Sequence, residues 1–133
     1  MTRRSDERSK LELRALREIV GLSQADMAEA LGVNRTTVKR WERPDSDGDT
    51  PPDDAFELLD NLVAQQDATV SAALAEHGGD AAVTLPYYRT QEELEAAGRP
   101  GLVGVANATT LAVAGELRRR GVDVRFGTGE TLG

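Results

Sequence analysis

Apolar positions in the first part of the chain recur every three to four residues, which is the period of an α-helix. A first helix is predicted over residues 10–20, and its apolar side consists of Leu11, Leu13, Leu16, Ile19 and Val20. Arg17 lies on the same side as Leu13 and Val20, so it should point inward or along the seam. An inward arginine needs a partner, and the sequence therefore predicts an ion pair that involves Arg17.

Residues 23–42 predict two further short helices that are joined by a tight turn. The first runs from about Gln24 to Leu31 after a Ser23 cap, and the second runs from about Arg35 onward after an Asn34 cap. The inward side consists of Ala25, Ala28, Leu31, Val33, Val38 and Trp41. The outward side of the second helix carries Arg35, Thr36, Lys39, Arg40 and Arg43. This is the layout of a helix-turn-helix, whose second helix enters the major groove of DNA.

Turn-forming residues divide the rest of the chain. Residues 44–52 are rich in Pro, Asp, Ser and Gly and predict an acidic loop that bends away from DNA. A long helix is predicted over residues 52–76, and Gly78-Gly79 marks a linker. The predicted fold class is therefore mainly α, with a helix-turn-helix domain at residues 1–76 and a small α/β dimerisation domain at residues 80–133.

The pattern of the second domain predicts three short strands and two helices. The strands fall at residues 82–88, 102–106 and 122–126, and the helices start at Thr90 and Asn107. Asn107 is expected to cap the second helix, whose expected inward face consists of Leu111, Val113 or Ala114, and Leu117. A unit of about 50 residues buries little apolar surface and leaves a strand edge open. Pairing with a second copy would bury more apolar surface and cover the open strand edge, so we expect a homodimer. Its expected interface consists of Leu85, Tyr87, Tyr88, Val103, Val105, Val124 and Phe126.

The net charge of −7 is unusual for a protein that binds DNA, but the charge is unevenly distributed. Residues 1–43 hold ten Lys or Arg and seven Asp or Glu, whereas residues 44–133 hold six and sixteen. The basic part is expected to face nucleic acid, and the acidic part is expected to stay away from phosphates.

Composition and motif spacing disfavour several other classes of protein. The absence of Cys removes disulfides and thiolate metal sites. No apolar run approaches the roughly 18 residues that span a bilayer, and the charged first residues do not resemble a signal peptide. His77 has no nucleophile near it in the sequence, and the acidic loop lacks the spacing of a calcium site. We expect a cytoplasmic protein without membrane association that is not an enzyme and uses no metal or cofactor.

Donors on the outward side of the second motif helix suit the major groove. Arginine can bind O6 and N7 of guanine, and the threonine methyl group can contact that of thymine. Arg35, Thr36 and Arg40 are therefore expected to contact bases. Side chains around the rim are expected to bind phosphate, which sets register rather than sequence preference. These are Gln24, Asn34, Thr37, Lys39 and Arg43.

A family resemblance rests on one set of positions: Leu16-Arg17, Leu22-Ser23-Gln24-Ala25, Met27-Ala28, Leu31-Gly32-Val33, Val38 and Trp41-Glu42. On these positions, residues 11–63 resemble the Cro/C1-type (XRE-like) helix-turn-helix family. The resemblance implies a lambda-repressor-like bundle, in which Gln24 touches phosphate and the following helix reads bases. It also implies that Arg17 pairs with Glu42.

The second half has a resemblance of its own. It combines Leu85-Pro86-Tyr87-Tyr88-Arg89, a short acidic helix, Val103-Gly104-Val105, a helix and a final strand. This order is similar to anti-CRISPR-associated and YdiL-like regulators, which dimerise through such a domain. The resemblance implies a dimeric repressor of its own operon. Because one recognition helix covers only a few base pairs, we expect two copies to bind palindromic double-stranded DNA.

Two alternatives to a simple repressor stay open. One is an antitoxin, in which residues 80–133 would bind a small toxin protein. The other is a ligand-sensing regulator, with a pocket near Tyr87, Tyr88 and Phe126.

Overall fold

The computed structural model describes residues 10–44 and 50–128, which form six α-helices and two β-strands. The helices are α1 (Lys10–Val20), α2 (Gln24–Leu31), α3 (Arg35–Glu42), α4 (Asp53–His77), α5 (Gln91–Ala96) and α6 (Val103–Arg119), and the strands are β1 (Ala82–Pro86) and β2 (Asp123–Gly127). The predicted fold class is confirmed: the chain is mainly helical, with an N-terminal helix-turn-helix region and a small sheet later. Most of the predicted acidic loop lies outside the described residues.

Local signals set the ends of α2 and α3. The hydroxyl of Ser23 accepts a hydrogen bond from the Asp26 amide at 3.0 Å, so α2 begins with the predicted cap. Gly32 ends α2 at φ 70, a left-handed conformation that suits glycine. Asn34 precedes α3, but its side chain makes no capping hydrogen bond, and the Thr37 amide bonds to the Asn34 backbone carbonyl at 2.9 Å. The predicted side-chain cap at Asn34 is therefore wrong.

The core of the N-terminal unit is narrower than the sequence pattern indicated. Leu11 and Ile19 are 76% and 52% exposed, and Ala25 is exposed as well. At about 100° per residue, Leu11 lies on the side of α1 opposite to buried Leu13. The buried apolar side chains of this unit are Leu13, Val20, Leu22, Met27, Ala28, Val38, Trp41, Ala55, Phe56 and Leu59.

The C-terminal unit is built around two parallel strands. β1 and β2 pair with Val83 opposite Val124 and Leu85 opposite Phe126. The connection between them contains α5 and α6, as a parallel pair requires a crossover. The core of the unit consists of Leu85, Val113, Ala114, Leu117, Val122 and Val124.

Residues 102–106 do not form the predicted strand, because they lead into and begin α6. The alternation of Val103 and Val105 suggested a strand, but periodicity cannot separate a short apolar run in a strand from one in a helix. Gln91 accepts a hydrogen bond from the Val103 amide at 2.9 Å, which satisfies one donor of the first helical turn. The sheet in the described residues therefore has two strands rather than three.

Asn107 and Leu111 also differ from their predicted roles. Asn107 lies within α6 instead of capping it, and its side chain bonds to both backbone groups of Tyr88. Leu111 was expected on the inward face of this helix, but it is 52% exposed, whereas Val113, Ala114 and Leu117 are buried.

The division between compact units lies inside α4. It falls between Ala64 and Gln65, earlier than the Gly78-Gly79 linker that the sequence indicated. The reason is that Val70, Ala73 and Leu74 of α4 pack against the core of the C-terminal unit. Domain bounds at residues 1–76 and 80–133 stay a prediction. None of the helices in the described part of the chain is long and apolar enough to cross a membrane.

Candidate nucleic-acid interface

Helix α3 has one buried side and one exposed side. Val38 is fully buried and Trp41 is 8% exposed, and both belong to the core of the N-terminal unit. The opposite side, together with the residue that follows the helix, consists of exposed Arg35, Thr36, Lys39, Arg40 and Arg43. At about 100° per residue, the four helical positions fall within an arc of roughly 140°, so they lie on one face of α3. The chain therefore presents a row of positive and hydroxyl donors to solvent.

Most of these donors have no competing partner among the described residues. The side chains of Arg35, Thr36, Lys39 and Arg40 make no hydrogen bond or ion pair within that part of the chain. The backbone carbonyl of Arg40 is different, since it accepts a hydrogen bond from Lys10 Nζ at 2.9 Å. The side-chain donors on α3 are thus available to a ligand, whereas the backbone of its last turn is tied to α1.

A nearly buried ion pair holds α3 against α1. Arg17 Nε lies 2.6 Å from Glu42 Oε2, and Arg17 Nη2 donates to Glu42 Oε1 at 3.0 Å, a bidentate arrangement. Their side chains are only 12% and 4% exposed. Arg17 Nη1 also donates to the carbonyl of Leu22 at 3.0 Å, in the turn before α2. This is the pair that the family resemblance implied, and it fixes the orientation of α3 relative to α1 and that turn.

Gln24 takes part in the same network. Its Nε2 donates to Glu42 Oε1 at 3.1 Å, and the residue is half-buried. A carboxamide nitrogen carries two hydrogens, so one remains for another acceptor. Gln24 therefore lies at the first turn of α2 with its side chain already oriented by Glu42.

A concave surface at the start of α2 adds a residue that the sequence interpretation missed. It is lined by Arg14, Arg17, Ser23, Gln24, Ala25 and Arg35. The amino-terminal end of a helix favours anions, and Arg14 and Arg35 add positive charge, whereas the charge of Arg17 is neutralised by Glu42. Arg14 bonds Glu18 at 3.1 Å, but both side chains are more than half exposed, so the pair is weak. The spacing of Lys10, Arg14 and Arg17 along α1 is a signal that could have found it.

The seven residues predicted at a dimer interface lie in different environments. Leu85, Tyr88 and Val124 are buried within the chain, and Val103 and Val105 are half-buried. Tyr87 and Phe126 are 39% and 43% exposed, and their rings pack edge to face with centroids 6.2 Å apart. These two are the members of the set that the structure brings together at the surface.

Acidic and histidine side chains of the described residues form no cluster of three or more that could hold a metal ion. His77 Nδ1 lies 2.9 Å from Asp80 Oδ2 beside the glycine linker. Hydrogen bonds from the side chain and backbone of Arg89 lower the pKa of the Glu93 carboxyl below its ordinary value. Arg89 is exposed and Glu93 is partly exposed, and the pair lies at the start of α5.

Comparison with known proteins agrees with this geometry. A family model described as a helix-turn-helix domain matches residues 11–73, a range that includes α2, α3 and every proposed DNA contact. No curated protein shows a significant match to the chain. The match and the exposed basic face of α3 together support a DNA-binding regulator with an N-terminal helix-turn-helix region.

Proposed function

We propose that this protein is a sequence-specific transcriptional repressor that binds an inverted repeat in double-stranded DNA as a homodimer and represses its own operon. The observation that carries the proposal is that Arg35, Thr36, Lys39 and Arg40 are exposed on α3 without a side-chain partner among the described residues. The Arg17–Glu42 pair holds the same helix against α1. A preorganised helix with free donors on its outer face fits the major groove.

The proposed contacts divide by chemistry. Arg35, Thr36 and Arg40 contact base edges, where arginine binds guanine and the threonine methyl group meets thymine. Phosphate contacts come from the rim and from the start of α2, where backbone amides and side-chain donors meet. The phosphate-binding residues are Arg14, Gln24, Asn34, Thr37, Lys39 and Arg43.

Dimerisation provides the specificity that a single helix lacks. One recognition helix covers only a few base pairs, so two copies on half-sites about 34 Å apart are needed for a usable site. The exposed Tyr87 and Phe126 rings support the C-terminal unit as the contact between copies. The two-stranded sheet supports it as well, since strand edges favour pairing with another chain.

The proposal is tested by selecting binding sites from a library of random duplexes with the purified full chain. We expect an enriched inverted repeat with half-site centres about one helical turn apart. The same repeat should occur upstream of the gene, and footprinting there should protect both half-sites. Enrichment without any consensus would contradict sequence-specific binding, and a single half-site bound by one chain would contradict the homodimer.

A further inference from the structure

The C-terminal unit contains a cavity of about 460 Å³ that the DNA-binding proposal does not use. Small-molecule sites in proteins measure roughly 300–1,000 Å³ and are mostly apolar with a few polar groups. The apolar walls of this cavity come from four elements, with Ala73 on α4, Leu85 on β1, Leu94 on α5 and Val113 on α6. Its size and lining are therefore those of a site for a small molecule.

Tyr88 supplies the first polar group of the cavity. The residue lines the cavity and is 3% exposed, and its hydroxyl has no hydrogen-bond partner among the described residues. Asn107 bonds both backbone groups of Tyr88, at 3.0 Å and 2.7 Å, so the backbone that carries the ring is fixed. A buried hydroxyl without a partner is unfavourable. A bound molecule with a hydrogen-bond acceptor would satisfy it.

Arg99 supplies the second polar group. It lines the same cavity and is exposed, and its guanidinium makes no hydrogen bond or ion pair to the described residues. Glu76 and His77 also line the cavity, but His77 is held by Asp80 at 2.9 Å and lies 3.7 Å from Glu76. The available cation of this cavity is therefore Arg99, and guanidinium groups bind carboxylates well.

We propose that this cavity binds a small apolar carboxylate, with its hydrocarbon body against the apolar walls and its carboxylate bound by the Tyr88 hydroxyl and the Arg99 guanidinium. The apolar part contributes affinity by leaving water, and the two donors select an anionic head group. The proposal concerns residues of the C-terminal unit alone and does not depend on DNA binding.

The test titrates the full chain, without DNA, with 2-naphthoate and with octanoate, and follows heat of binding and melting temperature. We expect both probes to bind and to raise the melting temperature, whereas 2-naphthamide, which lacks the charge, should bind at least tenfold more weakly. Failure of both carboxylates to bind at millimolar concentration would overturn the proposal, and so would equal binding of the amide.

Two variants and one matched control assign the binding to this cavity. Tyr88→Phe and Arg99→Gln should each weaken 2-naphthoate binding about tenfold, which corresponds to about 1.4 kcal/mol. Arg118→Gln, which removes an exposed arginine that does not line the cavity, should change the affinity for 2-naphthoate less than twofold.

The ligand-free Tyr88→Phe protein should melt no lower than the wild type, because it loses only an unsatisfied hydroxyl. Unchanged binding in both cavity variants, or a lower melting temperature of ligand-free Tyr88→Phe, would overturn the assignment.

Discussion

At the scale of single residues, the proposed recognition depends on side chains that α3 leaves free. Base readers and phosphate binders lie next to each other on the same face, so exposure alone does not distinguish them. Arg40 and Lys39 are adjacent, exposed and both positively charged. Arg40 is proposed to contact a base and Lys39 a phosphate, so the substitution of each residue should have a different effect on DNA binding.

Arg40→Ala should reduce discrimination between the selected duplex and a scrambled duplex by about 1–3 kcal/mol, because a guanine contact is lost. Lys39→Ala should weaken binding to both duplexes alike and reduce the slope of affinity against salt by about one. Fluorescence anisotropy at several salt concentrations measures both quantities. An equal loss on the two duplexes for Arg40→Ala would show that Arg40 binds phosphate instead.

Glu42→Ala should destabilise the chain by about 3–5 kcal/mol, because it leaves the nearly buried Arg17 guanidinium without its carboxylate. The double variant Arg17→Met with Glu42→Leu should lose less stability than Glu42→Ala alone, because it leaves no unpaired charge buried. Urea unfolding measures the difference. Arg14→Ala, in the exposed pair with Glu18, is the control and should change stability by less than about 1 kcal/mol. If Glu42→Ala lowered the free energy of unfolding as little as the control does, the Arg17–Glu42 pair would not be holding α3 against α1.

At the scale of elements, residues at the ends of the helices determine where the helices begin and end. Gly32 is the clearest case, because it ends α2 at φ 70 and a Cβ at this position would meet no atom within 4 Å. Gly32→Ala should destabilise the chain by about 1 kcal/mol through backbone strain alone. Thermal or urea unfolding measures this cost. A Cβ at Gly79 would also meet no atom within 4 Å, and Gly79 does not have a positive φ, so Gly79→Ala should leave the stability nearly unchanged. Equal effects of the two substitutions would contradict the explanation.

Asn107 joins α6 to the segment after β1 through two hydrogen bonds to Tyr88. Asn107→Ala should destabilise the chain by about 2 kcal/mol, because a part-buried amide and carbonyl lose their partners. Thr109→Ala, at a half-buried position two residues further along the same helix, should change stability by less than about 0.5 kcal/mol. Unfolding curves for both variants test this, and similar costs would indicate that the Asn107 bonds are not needed.

Elements with local signals could be predicted from the sequence, and elements that depend on distant contacts could not. The bounds of α1 and α2 follow from apolar spacing, the Ser23 cap and Gly32, all within a few residues. The start of α6 depends on Gln91, twelve residues before Val103, and no local pattern shows that contact. The proposed phosphate contact of Arg14 could be predicted only in part. The spacing of Lys10, Arg14 and Arg17 marks a basic side of α1, but it does not show that Arg14 lies beside the start of α2.

At the scale of the whole molecule, charge separates the two halves of the chain. The first 43 positions hold ten of the sixteen Lys and Arg residues and include every proposed DNA contact, whereas the remainder is strongly acidic. A strongly acidic part is repelled by phosphate, so it is suited to contacts with protein rather than with DNA. The proposed dimer therefore places the contact between copies in the acidic half.

The combined substitution Tyr87→Lys and Phe126→Lys should convert the dimer into a monomer, because it places positive charges on the exposed aromatic pair of both copies. Size-exclusion chromatography with light scattering measures the mass. Leu111→Lys, at an exposed apolar position on α6, is the control and should leave the dimer intact. A monomeric wild type at micromolar concentration would contradict the dimer, and dissociation by Leu111→Lys alone would place the interface elsewhere.

The most direct test of the central claim is an NMR titration of the isotope-labelled chain with the selected duplex. If α3 enters the major groove, the first and largest changes in amide shifts should fall on residues 35–43 and on Ser23 and Gln24 at the start of α2. Changes confined to residues 65–128, or no change at a duplex concentration that saturates anisotropy, would contradict the claim that this helix-turn-helix reads DNA.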